Sequence, residues 1–141
     1  MKRFAVRFAV LSALGVAMIA FASSESSSAN NLADPTTKEI MQKANGKGGL
    51  AKALSTGLKD KEPKWEDLAA KAKELTPLAK ALGGNKPPKG DAEAWKKLTD
   101  EYAKAAVDLE DAIAKKDQKA AIAAMKPISA CMDCHKAHKG K

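Results

Sequence analysis

The segment between Asp91 and about Lys116 constrains the fold more than any other part of the chain. Its apolar residues recur at spacings of three and four, and they are Trp95, Leu98, Tyr102, Ala106, Leu109 and Ile113. This period places them on one face of a helix for about five turns. Asp91 is a typical N-cap residue, and the acidic residue Glu93 follows in the first turn. Such a helix must bury its apolar face against other helices, so the sequence predicts a helical bundle.

Two segments before this helix also have helical spacing. The first is predicted to begin near Asp34 and Pro35, where a capping residue precedes proline at the first helical position. The glycines of NGKGG interrupt it, and it resumes as LAKALSTGLK. The second segment covers about 64–82 and ends at a loop rich in glycine and proline, 83–90.

The last helical segment is predicted from Asp117, another capping residue, to about Lys139, with a bend at Pro127. Four helices joined by short loops, with no convincing strand, predict an all-α fold. We expect an antiparallel up-down four-helix bundle. Within it, Trp95 and Tyr102 are interpreted as core residues, with contact to a cofactor as the alternative.

Residues 1–22 have the pattern of a secretory signal peptide. Three basic residues precede an apolar run that ends in Ala20-Phe21-Ala22, where small residues suit a signal peptidase. We predict cleavage after Ala22, with cleavage after Ala29 or a retained anchor as the alternatives. The apolar run is short for a full membrane span. Residues 23–33 are predicted to be a flexible leader, and 34–141 the domain of a periplasmic or otherwise exported protein.

Export changes how the charge and the cysteines are interpreted. The whole chain carries a formal net charge of +8. Without the three basic residues of the signal it has 22 Lys and Arg against 17 Asp and Glu, a net charge of +5. This mild excess could favour an acidic partner. It does not indicate nucleic-acid binding, because the lysines are scattered among acids and aromatic residues are few. Outside the cytoplasm, unmodified cysteines tend to form disulfides, so the two thiols need an explanation.

Both cysteines of the chain, Cys131 and Cys134, lie in the sequence CMDCH, where His135 follows at once. On a helix these three side chains project from one face. Both sulfur atoms could therefore bond one planar macrocycle while the histidine reaches its iron. The pattern C-x-x-C-H is the attachment pattern of c-type haem. We predict one covalently bound haem c, with its iron, at this site.

Three other chemistries suit these residues less well. A redox dithiol belongs at a helix N-terminus, whereas the motif is predicted near the C-terminal end of the last helix. A zinc site made of Cys131, Cys134, His135 and His138 would take all four ligands from eight residues and bridge no two elements. A disulfide across two intervening residues would strain a regular helix.

The sequence CMDCHKAH near the chain end resembles the class II cytochromes c, which comprise cytochrome c′ and its low-spin relatives. The resemblance covers roughly residues 35–139. It implies a four-helix bundle with thioether bonds at Cys131 and Cys134, and His135 as the proximal iron ligand. Homodimers are common in that family. It often has an aromatic residue and then a basic one where this chain has His138 and Lys139.

In the resembling family the residue on the other face of the haem comes from the first helix. A methionine there gives a six-coordinate, low-spin electron carrier, and an apolar residue leaves the iron able to bind small gases. Met41 lies about where the family places this residue, so we predict Met41 as the distal ligand. The alternative is that Met41 packs in the core while Ile40 or Leu50 shields the iron. Met125 and Met132 lie on the last helix and cannot cross the ring.

The predicted function is single-electron transfer with a redox partner protein. The resemblance also implies a homodimer, and after signal cleavage we expect no attachment to the membrane. The alternatives are a five-coordinate protein that binds NO or CO, and a haem-free bundle with a disulfide. We predict no enzymatic activity, because no acid–base pair or nucleophile pattern is evident. His138, on the same side of the ring as His135, is interpreted as a surface residue, and Lys136 and Lys139 as solvated charges that could steer a partner.

Overall fold

The computed structural model describes residues 35–139, and this part of the chain is helical without any strand. The helices are α1 (Thr37–Asn45), α2 (Leu50–Gly57), α3 (Trp65–Gly84), α4 (Ala92–Ala114), α5 (Gln118–Ser129) and α6 (Cys131–His138). They form four arms. The first arm consists of α1 and α2, the second is α3, the third is α4, and the fourth consists of α5 and α6. The all-α prediction is confirmed for these residues. The predicted signal peptide and leader lie outside them.

The first arm is divided where the sequence has glycines. Gly48 has a φ of +85°, a conformation that side chains with a Cβ rarely adopt. A Cβ on Gly49 would lie 2.8 Å from the carbonyl oxygen of Ala44, so this position also requires glycine. The predicted interruption is therefore a complete break, and α1 and α2 are separate helices.

The last arm is divided one residue before the first cysteine. Pro127 lies inside α5 and lacks an N–H, and α5 ends at Ser129. Ala130 has φ −78° and ψ 47°, outside the helical region, and its N–H bonds to the Pro127 oxygen at 3.1 Å. The prediction of one bent helix over 117–139 is wrong, because the chain starts a new helix at Cys131.

Two of the predicted N-caps are confirmed. The Asp91 carboxylate accepts a hydrogen bond from the Ala94 N–H at 2.7 Å, and that of Asp117 accepts one from the Ala120 N–H at 2.9 Å. The first helix differs from the prediction, since Pro35 precedes it and Thr36 caps it. Thr36 and Glu39 satisfy each other's backbone N–H groups in a capping box, which fixes the start of α1 at Thr37.

Hydrogen bonds join the ends of the arms, one between the fourth arm and the first and one between the third arm and the second. At one end Gln118 Nε2 donates to the Leu58 oxygen at 2.7 Å. At the opposite end Trp95 Nε1 donates to the Asn85 oxygen at 2.8 Å. These contacts hold the described helices together in an arrangement compatible with a helical bundle.

The bundle buries one main core of small and aliphatic side chains and a smaller cluster at one end. The main core takes residues from α1 to α5 and none from α6, and its largest members include Leu54, Leu58, Leu68, Leu75, Leu109 and Ile113. The smaller cluster consists of Ile40, Leu82 and Trp95, with Met41 and Cys134 among the side chains packed against it. Ile122 of α5 is an exception among the aliphatic residues, because its side chain is 41% exposed.

We expect Leu109→Ala to lower the free energy of unfolding by about 2–5 kcal/mol, because this side chain is fully buried in the main core. Ile122→Ala is the matched control, and it should change stability by only about 0.5 kcal/mol, since that side chain is largely exposed. Urea unfolding of both variants would measure the difference. Equal losses in the two variants would contradict the assignment of the core.

Candidate functional site

The sequence CMDCH lies on α6, a short helix that begins at Cys131. Cys131 therefore occupies the first helical position, and the expectation that the motif lies at the end of a long helix is wrong. The position of the motif at the start of a helix is therefore no longer an argument against a redox dithiol. Cys131, Cys134 and His135 are all half-buried.

The two thiols are free in this structure. Cys131 Sγ lies 3.6 Å from the carbonyl oxygen of Ile128, within the range of a weak S–H donor. Burial raises the pKa of the Cys134 thiol, and the neighbouring Cys131 adds to the increase. A thiol that exchanges disulfides needs the opposite change, because its thiolate is the reactive form. The surroundings of Cys134 therefore do not activate it as a nucleophile.

Two cavities adjoin α6, and three residues line both of them. The first cavity has a volume of about 130 Å³ and is lined by residues that include Cys131, Leu98, Tyr102 and Ile128. The second has a volume of about 410 Å³ and is lined by residues that include Trp95, Pro88 and His138. Met41, Cys134 and His135 line both cavities. Residues of α1 and α6 thus line the same two cavities.

Met41 is the only one of the three described methionines that lines these cavities. Its Sδ lies 3.7 Å from Asn45 Nδ2, which also donates to the Tyr102 hydroxyl at 3.1 Å. Met125 is buried in the main core, and Met132 is 65% exposed. Asn45 therefore fixes the thioether of Met41 from one turn further along α1.

The residues that were alternatives to Met41 do not line either cavity. Ile40 is fully buried in the smaller cluster, and Leu50 packs against the main core. Trp95 is a core residue as predicted, whereas Tyr102 is half-buried and packs against both clusters, and each also lines one cavity. Burial raises the pKa of the Tyr102 phenol, so it keeps its proton at neutral pH.

His138 is not a surface residue, and that prediction is wrong. Its side chain is only 2% exposed. The ring packs edge-on against Trp95, with 5.3 Å between ring centroids and an angle of 77° between the planes. Nδ1 lies 3.0 Å from the carbonyl oxygen of Lys89, and Nε2 is buried without a hydrogen-bond partner. A buried polar atom without a partner is costly and calls for a physical explanation.

The two cavities differ in charge. The charged residues that line the first cavity are Glu101 and Asp133, both acidic. Those that line the second are Lys38 and Lys139, both basic. Lys136, the other lysine singled out on α6, is exposed and lines neither cavity.

Within residues 35–139, His, Cys, Asp and Glu side chains form no group of three or more suited to a metal ion. The four residues of the zinc alternative are therefore not gathered into a site. In the same part of the chain, no helix has the length and apolar character needed to cross a membrane.

Sequence reasoning missed two residues of this site. Asn45 was treated only as part of the glycine-rich interruption, although its spacing of four from Met41 was a usable signal. The burial of His138 depends on Trp95 and on Lys89, which lies 49 residues earlier in the chain, so no local pattern could have revealed it.

In comparisons of the chain with known proteins, no family model, curated protein or solved structure matched it.

Proposed function

We propose that the protein is an exported c-type cytochrome that carries single electrons through one covalently attached haem. One observation supports this most directly: Met41, Cys134 and His135 line the same two cavities, although Met41 is about ninety residues away in sequence. A disulfide or a redox dithiol would not need a methionine from another helix.

Cys131 and Cys134 would attach the haem. Each Sγ–H would add across one vinyl C=C of the haem, so that a C–S bond would form and the hydrogen would go to the other vinyl carbon. This reaction needs two free thiols on one helix face, and both thiols are free here. The apolar side chains beside them, among them Leu98, Ile128 and Trp95, would exclude water from the ring.

His135 and Met41 would be the axial ligands of the iron. When bound, haem supplies a one-electron couple at its iron, and a His–Met pair raises the potential of that couple. Asn45 would hold the Met41 thioether through the hydrogen bond to Sδ. The sulfur keeps a second lone pair for the metal.

The family we propose is that of the class II cytochromes c. The described chain has four helical arms, with the motif at the end of the fourth, and the proposed distal ligand comes from the first. A mildly basic mature chain of this kind would exchange electrons with a redox partner protein that carries acidic groups. The same family resemblance leads us to propose that the protein forms a homodimer.

Mass spectrometry and optical spectra of the mature protein would test this function. The protein should be produced in a host that attaches c-type haem. We expect the mass of the processed chain plus one haem, and a low-spin spectrum in both oxidation states. A mature chain without haem would overturn the proposal. A high-spin ferric spectrum, with CO or NO binding to the ferrous form, would indicate that the function is gas binding and not electron transfer.

A further inference from the structure

The buried ring of His138 has one nitrogen with a partner and one without. Nδ1 lies 3.0 Å from the Lys89 oxygen, and because a carbonyl oxygen only accepts, Nδ1 carries a proton. A Cβ added to Gly90 would lie 3.0 Å from the same nitrogen, so the loop covers the Nδ1 edge of the ring closely. Nε2 belongs to the other edge, and it has no partner among the described residues.

His138 lines the second cavity together with Cys134 and His135. The loop covers the Nδ1 edge of the ring, so the edge that carries Nε2 is the one left without a polar partner. A group bound in the cavity is therefore the natural partner for Nε2. The volume of about 410 Å³ is within the range of sites that hold cofactors.

The charges around the cavity indicate the chemical class of this partner. Lys38 and Lys139 line the second cavity, and no acidic residue does. Glu101 and Asp133 line the first cavity, and no lysine does. Carboxylates are favoured near the two lysines and disfavoured near the two acids. Haem has two carboxyl groups at the edge opposite its vinyl groups, and Cys131 lines only the first cavity.

We propose that His138 binds a carboxyl group of the haem through Nε2, as a further cofactor-binding residue in the second cavity. This inference rests on the proposed function. One proton completes the hydrogen bond, whether the imidazole or the carboxyl group holds it. The fixed Nδ1–Lys89 contact presents Nε2 to the haem without loss of side-chain freedom on binding.

A crystal structure of the mature haem-containing protein would test the contact directly. We expect Nε2 within about 3.2 Å of a haem carboxyl oxygen. An Nε2 that binds the iron, that contacts only water or that has no partner would overturn the inference. In each of these cases the haem is present, so the proposed function would stand. Absence of haem from the mass of the mature chain would overturn both.

Two amide variants separate the roles of the two nitrogens in solution. In His138→Asn the side-chain amide can donate a hydrogen bond where Nδ1 did. In His138→Gln the longer side chain places its amide near the position of Nε2. We expect the haem carboxyl bending band in the resonance Raman spectrum to shift in His138→Asn and His138→Phe. It should stay near its original position in His138→Gln. If His138 only fastens the loop, His138→Asn would match the unchanged protein and His138→Gln would not, and the inference would fail.

Discussion

Replacing Met41 with leucine is expected to change the ferric iron from six-coordinate low-spin to five-coordinate high-spin. Among residues 35–139, the thioether of Met41 is the only sulfur outside α6 that lines the two cavities. Leucine has a similar volume, so the change should cost less than about 1.5 kcal/mol of stability. The sulfur ligand would be lost without collapse of the site. EPR and optical spectra of the ferric protein would measure the result.

The same variant should have a lower reduction potential and should bind CO in the ferrous form. The potential falls because a thioether ligand raises it, and CO binds because a coordination position becomes open. Met125→Leu and Met132→Leu are the matched controls. Met125→Leu alters the main core and Met132→Leu alters an exposed position, and both variants should keep the low-spin spectrum. A low-spin Met41→Leu protein would mean that another side chain occupies the sixth position.

The double variant Cys131→Ala/Cys134→Ala is expected to contain no covalently bound haem. Without either thiol, neither vinyl group can form a thioether. The mass of the mature chain should then equal that of the polypeptide alone, a complete loss. Met132→Ala, between the two cysteines, is the control and should keep its haem, because the Met132 side chain is 65% exposed.

The double variant should remain helical, because neither cysteine belongs to the main core. Circular dichroism would show this, so loss of haem could be distinguished from loss of the fold. If the unchanged protein instead has a mass that lacks two hydrogen atoms and contains no haem, the cysteines form a disulfide. Haem in the double variant would place the attachment elsewhere.

Helical periodicity predicted most of the fold, because each arm buries a stripe that repeats every three or four residues. Asp91 and Asp117 were predictable as caps, since the side chain bonds to a backbone N–H only three residues later. The exposure of Ile122 was not predictable in this way. It follows apolar spacing, but its position on the bundle depends on the packing of α5 against its neighbours.

The candidate site was predictable where its chemistry is local. Cys131, Cys134 and His135 lie within five residues, and their spacing is sufficient to place them on one helix face. The break at Ala130 follows from a backbone conformation that Pro127 permits but does not dictate. The environment of His138 results from tertiary contacts with a loop and with α4. Such contacts leave no trace in a single sequence.

The break at Ala130 also separates two parts of the chain that are expected to differ in stability, α6 and the helices before it. Because α6 contributes no residue to the main core, we expect α6 to detach while α1 to α5 keep the buried leucines of that core. The opening that exposes the two thiols is therefore a local event whose free energy lies below that of global unfolding. Amide hydrogen exchange should be faster in α6 than in α4 before haem is attached. Two thioether bonds and an iron ligand would then tie the least anchored helix to the rest, and exchange in α6 should slow.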